Sequence, residues 1–305
     1  MELIEVEAFI MIARTGGFTA AARALHLSQP AVSRRIELLE REVGAPLFDR
    51  LRGGVRLTAA GDIFLPYAEQ MLTAARDAAI AIRAVQLGTE GTVSLALVGT
   101  LASTDLTGRL RTFRETNPGV RLVLRTARSV EVSDLVRQGE VSLGLRYFTD
   151  SSSGLVCTLV HDEALSVVCA VHSPLGRIGD ATVADLSGVP WLGFAASGGH
   201  SGEPFARILE RQLIRLGLDE AEIVAVDSLT AQKRLIEADF GVGLLPTSSI
   251  EEELRAGTLR VLPISGMEAS APVYVLHRRN GFLGPAARQL LVTLGGNPPT
   301  EPRGG

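Results

Sequence analysis

The chain has few cysteines and no long apolar run. Of its 305 residues only Cys157 and Cys169 are cysteines, which are too few and too isolated for a disulfide framework or a zinc cluster. We therefore expect both thiols to be core residues. No stretch reaches the ~18 to 20 apolar residues of a membrane span, so the sequence predicts no contact with a membrane.

Signals for secretion and for catalysis are also missing. The acidic start, Met1 to Glu7, lacks the basic and apolar regions of a secretory leader, which predicts a cytoplasmic location. The sequence contains no nucleophile elbow, Walker loop, GxGxxG loop or metal-ligand spacing. We therefore predict no catalytic residue, metal or cofactor, and a binding role is favoured over an enzymatic one.

Lysine is nearly absent, and the positive charge is local. Lys233 is the only lysine among 30 basic residues, so arginine is preferred throughout the chain and its position carries the information. The whole chain has a net charge of -4, but residues 14–56 hold eight arginines and four acidic residues. This basic segment is compatible with a nucleic-acid partner. With 46% hydrophobic and 21% charged residues, the composition is that of a folded protein of about two domains.

The first 88 residues are predicted to be mostly helical. Apolar residues at helical spacing indicate helices over Leu3 to Arg14 and over Phe18 to Leu25. Ser28 is a candidate N-cap for a third helix, and Pro30 suits its first turn. That third helix is expected to end near Val43.

The third helix is amphipathic and is followed by a small hairpin. Its apolar stripe comprises Val32, Ile36, Leu39 and Val43, and its opposite face comprises Pro30, Ser33, Arg34, Glu37 and Arg41. After Gly44, residues 48–57 are typical of a two-stranded wing around a Gly-Gly turn. Residues 1–58 therefore predict a winged helix-turn-helix DNA-binding domain.

Residues 59–88 predict one long helix with a dimerisation seam. Thr58 is its candidate cap, and apolar or small residues then recur at alternating steps of three and four. The seam residues are Phe64, Tyr67, Met71, Ala74, Ala78, Ala81 and Val85. So regular a stripe favours a second copy of the helix as its partner.

From Gly91 the pattern changes to strands alternating with helices, over a region we place at residues 89–294. Such alternation favours an α/β fold with mostly parallel sheets and ligands at the carboxyl ends of strands. The predicted strands are Val93 to Val98, Val120 to Thr126, Val141 to Tyr147, Leu165 to His172, Trp191 to Phe194, Ile223 to Asp227, Gly241 to Leu245, Leu259 to Leu262 and Val273 to His277. The predicted helices are Leu106 to Thr116, Glu131 to Gln138, Pro204 to Leu216, Leu229 to Ala238 and Ser248 to Ala256. Residues 295–305 are expected to form a disordered tail.

The predicted third helix can enter a DNA major groove with its N-terminal half. Gln29, Ser33 and Arg34 are then the residues that read base edges, with Pro30 beside them, because Gln pairs with adenine and Arg with guanine. Arg50, Arg52 and Arg56 of the wing suit phosphate or minor-groove contacts. The alternative is that these arginines merely solvate the surface.

The N-terminal residues closely resemble those of the LysR-type transcriptional regulators. The resemblance rests on Phe18-Thr19-Ala20-Ala21-Ala22, Leu25, residues 27–33 (Leu-Ser-Gln-Pro-Ala-Val-Ser), Ile36, Leu39-Glu40, Gly44, Leu47-Phe48-Asp49-Arg50 and Leu57-Thr58-Ala59-Ala60-Gly61. It covers about 90 residues strongly and the remainder by architecture. Gly16-Gly17 departs from the family, which commonly has a Ser at the second position.

This resemblance implies a fold and a set of partners. A winged helix-turn-helix would continue through the long helix into a two-lobed effector domain like the periplasmic solute-binding proteins. Family members are usually dimers of dimers that bend promoter DNA. A small effector between the lobes alters the bend and the contact with RNA polymerase.

The resemblance also points to an effector cleft. In the first lobe it indicates Thr100, Leu101 and Ser129, and in the second Phe194, Ser197, Ser228 and Gly243. Helix N-termini that converge on a cleft favour an anionic ligand. Arg146, at a strand end, either pairs with such an anion or forms a surface ion pair or an interlobe strut.

Several polar residues and two other functions stay open. His200 either contacts an effector or is a solvated loop residue, and Trp191 is expected in the core. We predict no metal at His161-Asp162-Glu163, since adjacent strand residues point to opposite faces. An enzyme or solute-binding module with a helical docking domain, and an architectural DNA binder without a ligand, are the alternative functions.

Overall fold

A computed structural model describes residues 1–51, 54–87, 91–102, 104–151, 154–194 and 204–297 of the chain. The chain divides into two compact units, Met1–Gln86 and Leu87–Gly305. Each unit has its own buried apolar core.

The first unit is a helical domain with one hairpin. Its elements in chain order are α1 (Leu3–Thr15), α2 (Phe18–Ala24), α3 (Gln29–Val43), β1 (Phe48–Leu51), β2 (Gly54–Leu57) and α4 (Ala59–Leu87). The strands β1 and β2 are antiparallel, with Phe48 opposite Leu57 and Asp49 opposite Arg56. The helix α4 continues across Pro66.

Local sequence signals set the ends of these helices. The Ser28 hydroxyl accepts a hydrogen bond from the Ala31 amide at 3.3 Å, which caps α3 as predicted. The Thr58 hydroxyl accepts one from the Gly61 amide at 3.0 Å at the start of α4. Gly16 and Gly44 end α1 and α3 with φ of +73° and +80°, a conformation that glycine adopts without steric cost.

The core of the first unit forms around Phe9. This side chain is fully buried, and its ring centroid lies 5.2 Å from that of Phe48 and 5.1 Å from that of Phe64. The aromatic contacts hold α1 against the hairpin and against α4. Val43, predicted to be on the buried stripe of α3, is instead 38% exposed because the core ends with Leu39.

The second unit contains one nine-stranded mixed sheet. Its strands are β3 (Gly91–Leu97), β4 (Val120–Thr126), β5 (Leu143–Tyr147), β6 (Leu155–Ala170), β7 (Trp191–Gly193), β8 (Ile223–Ala225), β9 (Val242–Pro246), β10 (Leu259–Val261) and β11 (Ala269–Arg278). They lie in the order β4-β3-β5-β11-β6-β9-β7-β8, and β10 pairs with β6. The helices are α5 (Thr104–Thr116), α6 (Ser129–Arg137), α7 (Pro204–Leu216), α8 (Leu229–Glu237), α9 (Glu251–Ala256) and α10 (Pro285–Thr293).

Two long strands join two lobes. The first lobe comprises β3, β4 and β5 with α5, α6 and α10, and the second comprises β7, β8 and β9 with α7, α8 and α9. Pairing is parallel inside each lobe, as predicted. The crossing strands β6 and β11 are antiparallel to each other and to their neighbours, so the sheet is mixed and not mostly parallel.

Several predicted boundaries in this unit were wrong. The strand predicted from Leu165 begins at Leu155, because polar residues 161–163 interrupt the apolar pattern while β6 continues to pair with β11. The helix α10 was not predicted, and 247–256 is a 3-10 turn followed by the short α9. In the predicted tail, Gly295 and Gly296 donate hydrogen bonds to carbonyls of α10, and residues 298–305 lie outside the described ranges.

The two cysteines differ in environment. Cys169 is buried as predicted, and burial raises the pKa of its thiol. Cys157 is only half-buried, and its Sγ donates to the Asp150 carbonyl at 3.5 Å. Neither forms a disulfide.

The single lysine forms a buried ion pair in the second lobe. Lys233 Nζ of α8 lies 2.7 Å from Glu253 Oε1 of α9 and donates to the Ser249 carbonyl at 2.9 Å. The two charged side chains are 15% and 6% exposed. Removing one partner of such a pair leaves a buried charge without compensation.

We expect Lys233→Ala to lower the free energy of unfolding of the second unit by about 3–5 kcal/mol. Urea unfolding followed by the fluorescence of Trp191, the only tryptophan and a fully buried one, measures this change. Arg255→Ala is the control, because Arg255 and Glu251 are 69% and 47% exposed and such pairs contribute less than about 1 kcal/mol. Equal effects of the two substitutions would contradict the prediction.

Candidate nucleic-acid and effector sites

The outer face of α3 presents polar side chains at its N-terminal end. Gln29, Pro30 and Arg34 are exposed, and Ser33 is half-buried. Gln29 Nε2 donates to Ser33 Oγ at 3.1 Å, which holds these two side chains together on one turn. All four predicted residues therefore occupy the solvent side of the helix, opposite the buried Val32 and its stripe.

The hairpin adds positive charge in the same unit. Arg56 is exposed in β2, between Val55 and Leu57, whose side chains pack on the core. Arg50 lies in β1 opposite Val55. Arg52 lies outside the described residues. A helix with an exposed polar N-terminal half and a wing that carries arginine can contact base edges and phosphates of a duplex.

The predicted seam of α4 is split between the core and the surface. Phe64 and Met71 pack against the core of their own unit. Tyr67 is 58% exposed, and Ala74 and Ala78 are exposed as well. Ala81 is half-buried, and the side chain of Val85 lies outside the described part.

Sequence reasoning missed two large apolar side chains on α4. Ile63 and Ile82 are 68% and 60% exposed. At about 100° per residue both lie beside Tyr67, Ala74 and Ala78 on the helix surface. Counting every large apolar residue on this side of a helical wheel, rather than only those at strict heptad spacing, is the sequence signal that finds them.

Three hydroxyl-bearing residues lie at the carboxyl edge of the first lobe. Thr100 follows β3 in a 3-10 turn, Ser129 opens α6 after β4, and Tyr147 ends β5. These three strands are adjacent and parallel, so their carboxyl ends meet at one edge. Thr100 and Ser129 were predicted as effector contacts and lie at the expected edge.

The hydroxyl oxygens of these three residues are buried; that of Ser129 has no hydrogen-bond partner within the described chain, and those of Thr100 and Tyr147 have no partner there beyond each other. Burial raises the pKa of the Tyr147 phenol, and the nearby Thr100 hydroxyl partly offsets the rise. A buried hydroxyl without a partner is costly, and such groups are rare in folded proteins. An unpaired cluster at a sheet edge is therefore a candidate ligand site.

Aromatic side chains of the second lobe pack near Tyr147 at this edge. The ring of Phe205, in the first turn of α7, lies 4.6 Å from the ring of Tyr147 in an edge-on arrangement. The ring centroid of Phe194, which follows β7, lies 6.0 Å from that of Phe205. Phe194 was predicted to be a cleft residue, whereas Tyr147 and Phe205 were not predicted as site residues.

Of the other predicted cleft residues, Leu101, Gly243 and Ser228 are described. Leu101 is 3% exposed and belongs to the core of the first lobe. Gly243 lies inside β9, where a Cβ atom would come within 2.7 Å of Ile236 Cδ1, so it provides space for α8 and not for a ligand. Ser228 is exposed and caps α8 by accepting from the Ala231 amide at 3.4 Å. Ser197 and His200 lie outside the described residues.

Arg146 braces the first lobe and does not face the aromatic cluster. On a strand, its side chain points to the face opposite that of its neighbour Tyr147. Its Nη1 atom donates to Ser133 Oγ at 2.6 Å and lies 3.2 Å from Asp150 Oδ2. Burial lowers the pKa of the guanidinium, and the Asp150 carboxylate opposes this effect. Of the alternatives predicted for Arg146, these contacts are those of an ion pair within the first lobe.

His161 and Glu163 meet, although adjacent residues of β6 alternate. They are two residues apart and share a face, and His161 Nε2 lies 3.3 Å from Glu163 Oε2. Glu163 Oε1 accepts from the Ser248 amide at 3.2 Å, which links β6 to the second lobe. Within the described ranges, no group of three or more His, Cys, Asp or Glu side chains is placed to hold a metal. None of the described helices is long and apolar enough to cross a membrane.

The two units define a DNA-binding regulator with a ligand-binding domain. The first is a winged helix-turn-helix with an exposed reading face, and the second is a two-lobed α/β unit with unpaired hydroxyls at one edge. Comparison with known proteins gives the same class. Residues 3–62 match the family described as bacterial regulatory helix-turn-helix protein, lysR family, and residues 86–297 match the LysR substrate binding domain.

Full-length relatives match nearly the whole chain. A probable cat1 operon transcriptional activator of Acinetobacter lwoffii is 30% identical over 289 residues, which cover 92% of this chain and 91% of that protein. The HTH-type transcriptional regulator TfdS of Cupriavidus pinatubonensis is 30% identical over 273 residues, which cover 90% and 91% of the two chains. The crystal structure of full-length CbnR complexed with its target DNA has a TM-score of 0.62 and 26% identity, and covers 97% of this chain and 99% of that one.

The chain belongs to the LysR family of transcriptional regulators. It is a DNA-binding transcriptional regulator with an effector-binding domain, as the matched family models and relatives show.

Proposed function

We propose that α3 and the wing together read promoter DNA. Gln29, Ser33 and Arg34 contact base edges in the major groove, while Arg50, Arg52 and Arg56 contact the backbone or the minor groove. The observation that carries this proposal is the exposed polar N-terminal half of α3, in the unit that carries the Arg56 wing. CbnR, which is similar over almost its whole length, has been solved on its target DNA.

We propose that the lobes bind a small anionic effector at the edge occupied by Thr100, Ser129 and Tyr147. Their buried hydroxyls, which no described residue outside this group satisfies, are donors that a carboxylate or a hydroxyl of the ligand would engage. The N-terminus of α6, at Ser129, adds amide groups and positive potential. Arg146 is bonded to Ser133 and Asp150. An anion at this edge would therefore be bound by neutral hydroxyl donors and by the N-terminus of α6.

We also propose a role for each segment of the chain and an assembly of the whole protein. Residues 1–58 bind DNA, 59–88 link and dimerise, 89–294 bind the effector, and 295–305 form a tail. The apolar exposed face of α4 pairs with a second copy, giving a dimer or a tetramer that works in the cytoplasm and bends the promoter. Effector binding changes that bend and the contact with RNA polymerase. No catalytic step is part of this function.

We expect Arg34→Ala to reduce discrimination between operator and random DNA, because it removes a base-edge contact worth about 1–3 kcal/mol. Arg56→Ala should weaken binding to both and make the slope of log K against log salt shallower by roughly one unit. Fluorescence anisotropy over a salt series measures both quantities. Arg111→Ala is the control of equal charge change, since Arg111 is exposed in the effector domain. Equal losses of discrimination for Arg34 and Arg56 would contradict the assignment.

We expect a carboxylate that raises the Tm of the wild-type protein to raise that of Ser129→Ala much less. A panel containing acetate, succinate and benzoate, tested by thermal shift, supplies the probes, because a ligand stabilises the state that it binds. Without ligand, Ser129→Ala should leave the free energy of unfolding unchanged or raise it, since it removes a buried hydroxyl that has no partner. Ser94→Ala is the control, because the Ser94 hydroxyl is already bonded to Ser142. An undiminished shift in Ser129→Ala would remove this residue from the site.

We expect Ala78→Glu to dissociate the dimer, because it places like charges against each other at the interface. Ala79→Glu is the matched control, since Ala79 is also exposed but lies about 100° further around α4. Sedimentation velocity should show a smaller species for Ala78→Glu only. An unchanged sedimentation coefficient would refute the proposed seam.

A further inference from the structure

Glu40 joins the end of α3 to the start of the wing. Its Oε1 atom accepts hydrogen bonds from the backbone amides of Leu47 at 2.6 Å and Phe48 at 3.3 Å. Gly44 ends α3 in a left-handed conformation, which turns the chain back so that these two amides face the helix. The half-buried carboxylate thus binds the first backbone donors of the hairpin.

The other side of the same segment is held by the beginning of α4. The Leu47 carbonyl accepts from the Thr58 amide at 3.0 Å, and the Thr58 hydroxyl donates to the Pro46 carbonyl at 2.7 Å. Gly61 packs so closely that a Cβ atom there would lie 2.2 Å from the Leu47 carbonyl oxygen. We call residues 46–48 the wing root. It is fixed between α3 on one side and the first turn of α4 on the other.

We propose that Glu40 is a positioning residue for DNA binding, one that fixes the wing root relative to α3. A helix in the major groove and a wing on the backbone gain from each other only if their separation is preset, because ordering them on the DNA otherwise reduces affinity. Glu40 supplies the hydrogen bonds that set this separation. The inference rests on the proposed DNA-binding surface.

The wing has other contacts that keep it folded when Glu40 is changed. The Phe48 ring packs against Phe9 and, at 5.9 Å, against Phe18. The Val55 amide also donates to the Gly16 carbonyl at 3.3 Å. Loss of the Glu40 hydrogen bonds should therefore loosen the wing root without unfolding the domain.

Two substitutions of Glu40 distinguish the effect of side-chain length from the effect of charge. Glu40→Asp keeps the charge but is one methylene too short to hold both amides, whereas Glu40→Gln keeps an oxygen acceptor at the same reach and loses the charge. Glu42→Asp is the control, since Glu42 is on the same turn of α3 and pairs with the amino group of Met1.

Full-length protein is titrated with operator and random fragments over a salt series, with concentrations corrected for the active fraction. For Glu40→Asp we expect a loss of about tenfold on both fragments, with a salt slope shallower by roughly one unit and an unchanged ratio between the fragments. Glu40→Gln should keep most of the wild-type affinity and slope. Partial unfolding cannot imitate this result, because it lowers the active concentration and leaves the slope unchanged.

A double-mutant cycle with Arg56→Ala tests the link to the wing. In the wild type, Arg56→Ala should weaken binding by about tenfold, and in Glu40→Asp it should cost much less, since the wing is already displaced. Additive losses, or a wild-type slope in Glu40→Asp, would overturn the role of Glu40 while leaving the DNA-binding surface intact. A silent Arg56→Ala in the wild type would overturn the wing assignment and this inference with it. If Glu40→Asp does not fold, a Glu40→Gln slope one unit shallower than the wild type would also overturn it.

Discussion

A buried polar group must find a hydrogen-bond partner, and this constraint organises both units of the protein. In the first unit, Ser28, Glu40 and Thr58 supply the acceptors that the backbone lacks where helices begin and where the hairpin starts. In the second lobe, the Lys233 ammonium is matched by Glu253 and a carbonyl. The constraint is relaxed at the sheet edge that carries Thr100, Ser129 and Tyr147. Other buried polar atoms without a partner, such as Trp191 Nε1 and Gln212 Oε1, lie elsewhere in the unit, whereas three hydroxyl-bearing residues meet at this edge, which marks it as a candidate site for a ligand.

The first unit could be predicted largely from sequence because its signals are local. Ser28 with Pro30, and the glycines after α1 and α3, each act within one turn of the helix they begin or end. The second unit depends on pairings between distant segments. The first half of β6 could be recognised only through its partner β11, which lies more than 100 residues further along the chain. Its polar residues 161–163 interrupt the alternation of apolar and polar side chains that would otherwise predict a strand. For the same reason the antiparallel crossing between the lobes could not be inferred from the order of strands and helices.

For the candidate sites, too, local sequence patterns predicted positions well, whereas contacts between distant segments could not be predicted. The polar face of α3 follows from helical periodicity alone, and the structure places Gln29, Pro30, Ser33 and Arg34 on it. In the effector unit, the position of Arg146 near the end of a strand was predicted, and its contacts match the ion-pair alternative. Arg146 and Tyr147 are neighbours in β5 and point to opposite sides, so the residue with the more suggestive chemistry is engaged with Ser133 while the phenol beside it lies at the edge. Phe205 could not be found from sequence, since only the approach of α7 to β5 gives it a role.

The two crossing strands carry a mechanical consequence. Because β6 and β11 are bonded to each other along ten residue pairs and run from one lobe into the other, the lobes are not tethered by free chain. Their relative rotation has to bend or twist a ladder of backbone hydrogen bonds, whose register shifts between Val273 and Tyr274. A ligand bound between the lobes would therefore change their relative orientation by twisting this ladder, and not by a free movement about a flexible linker.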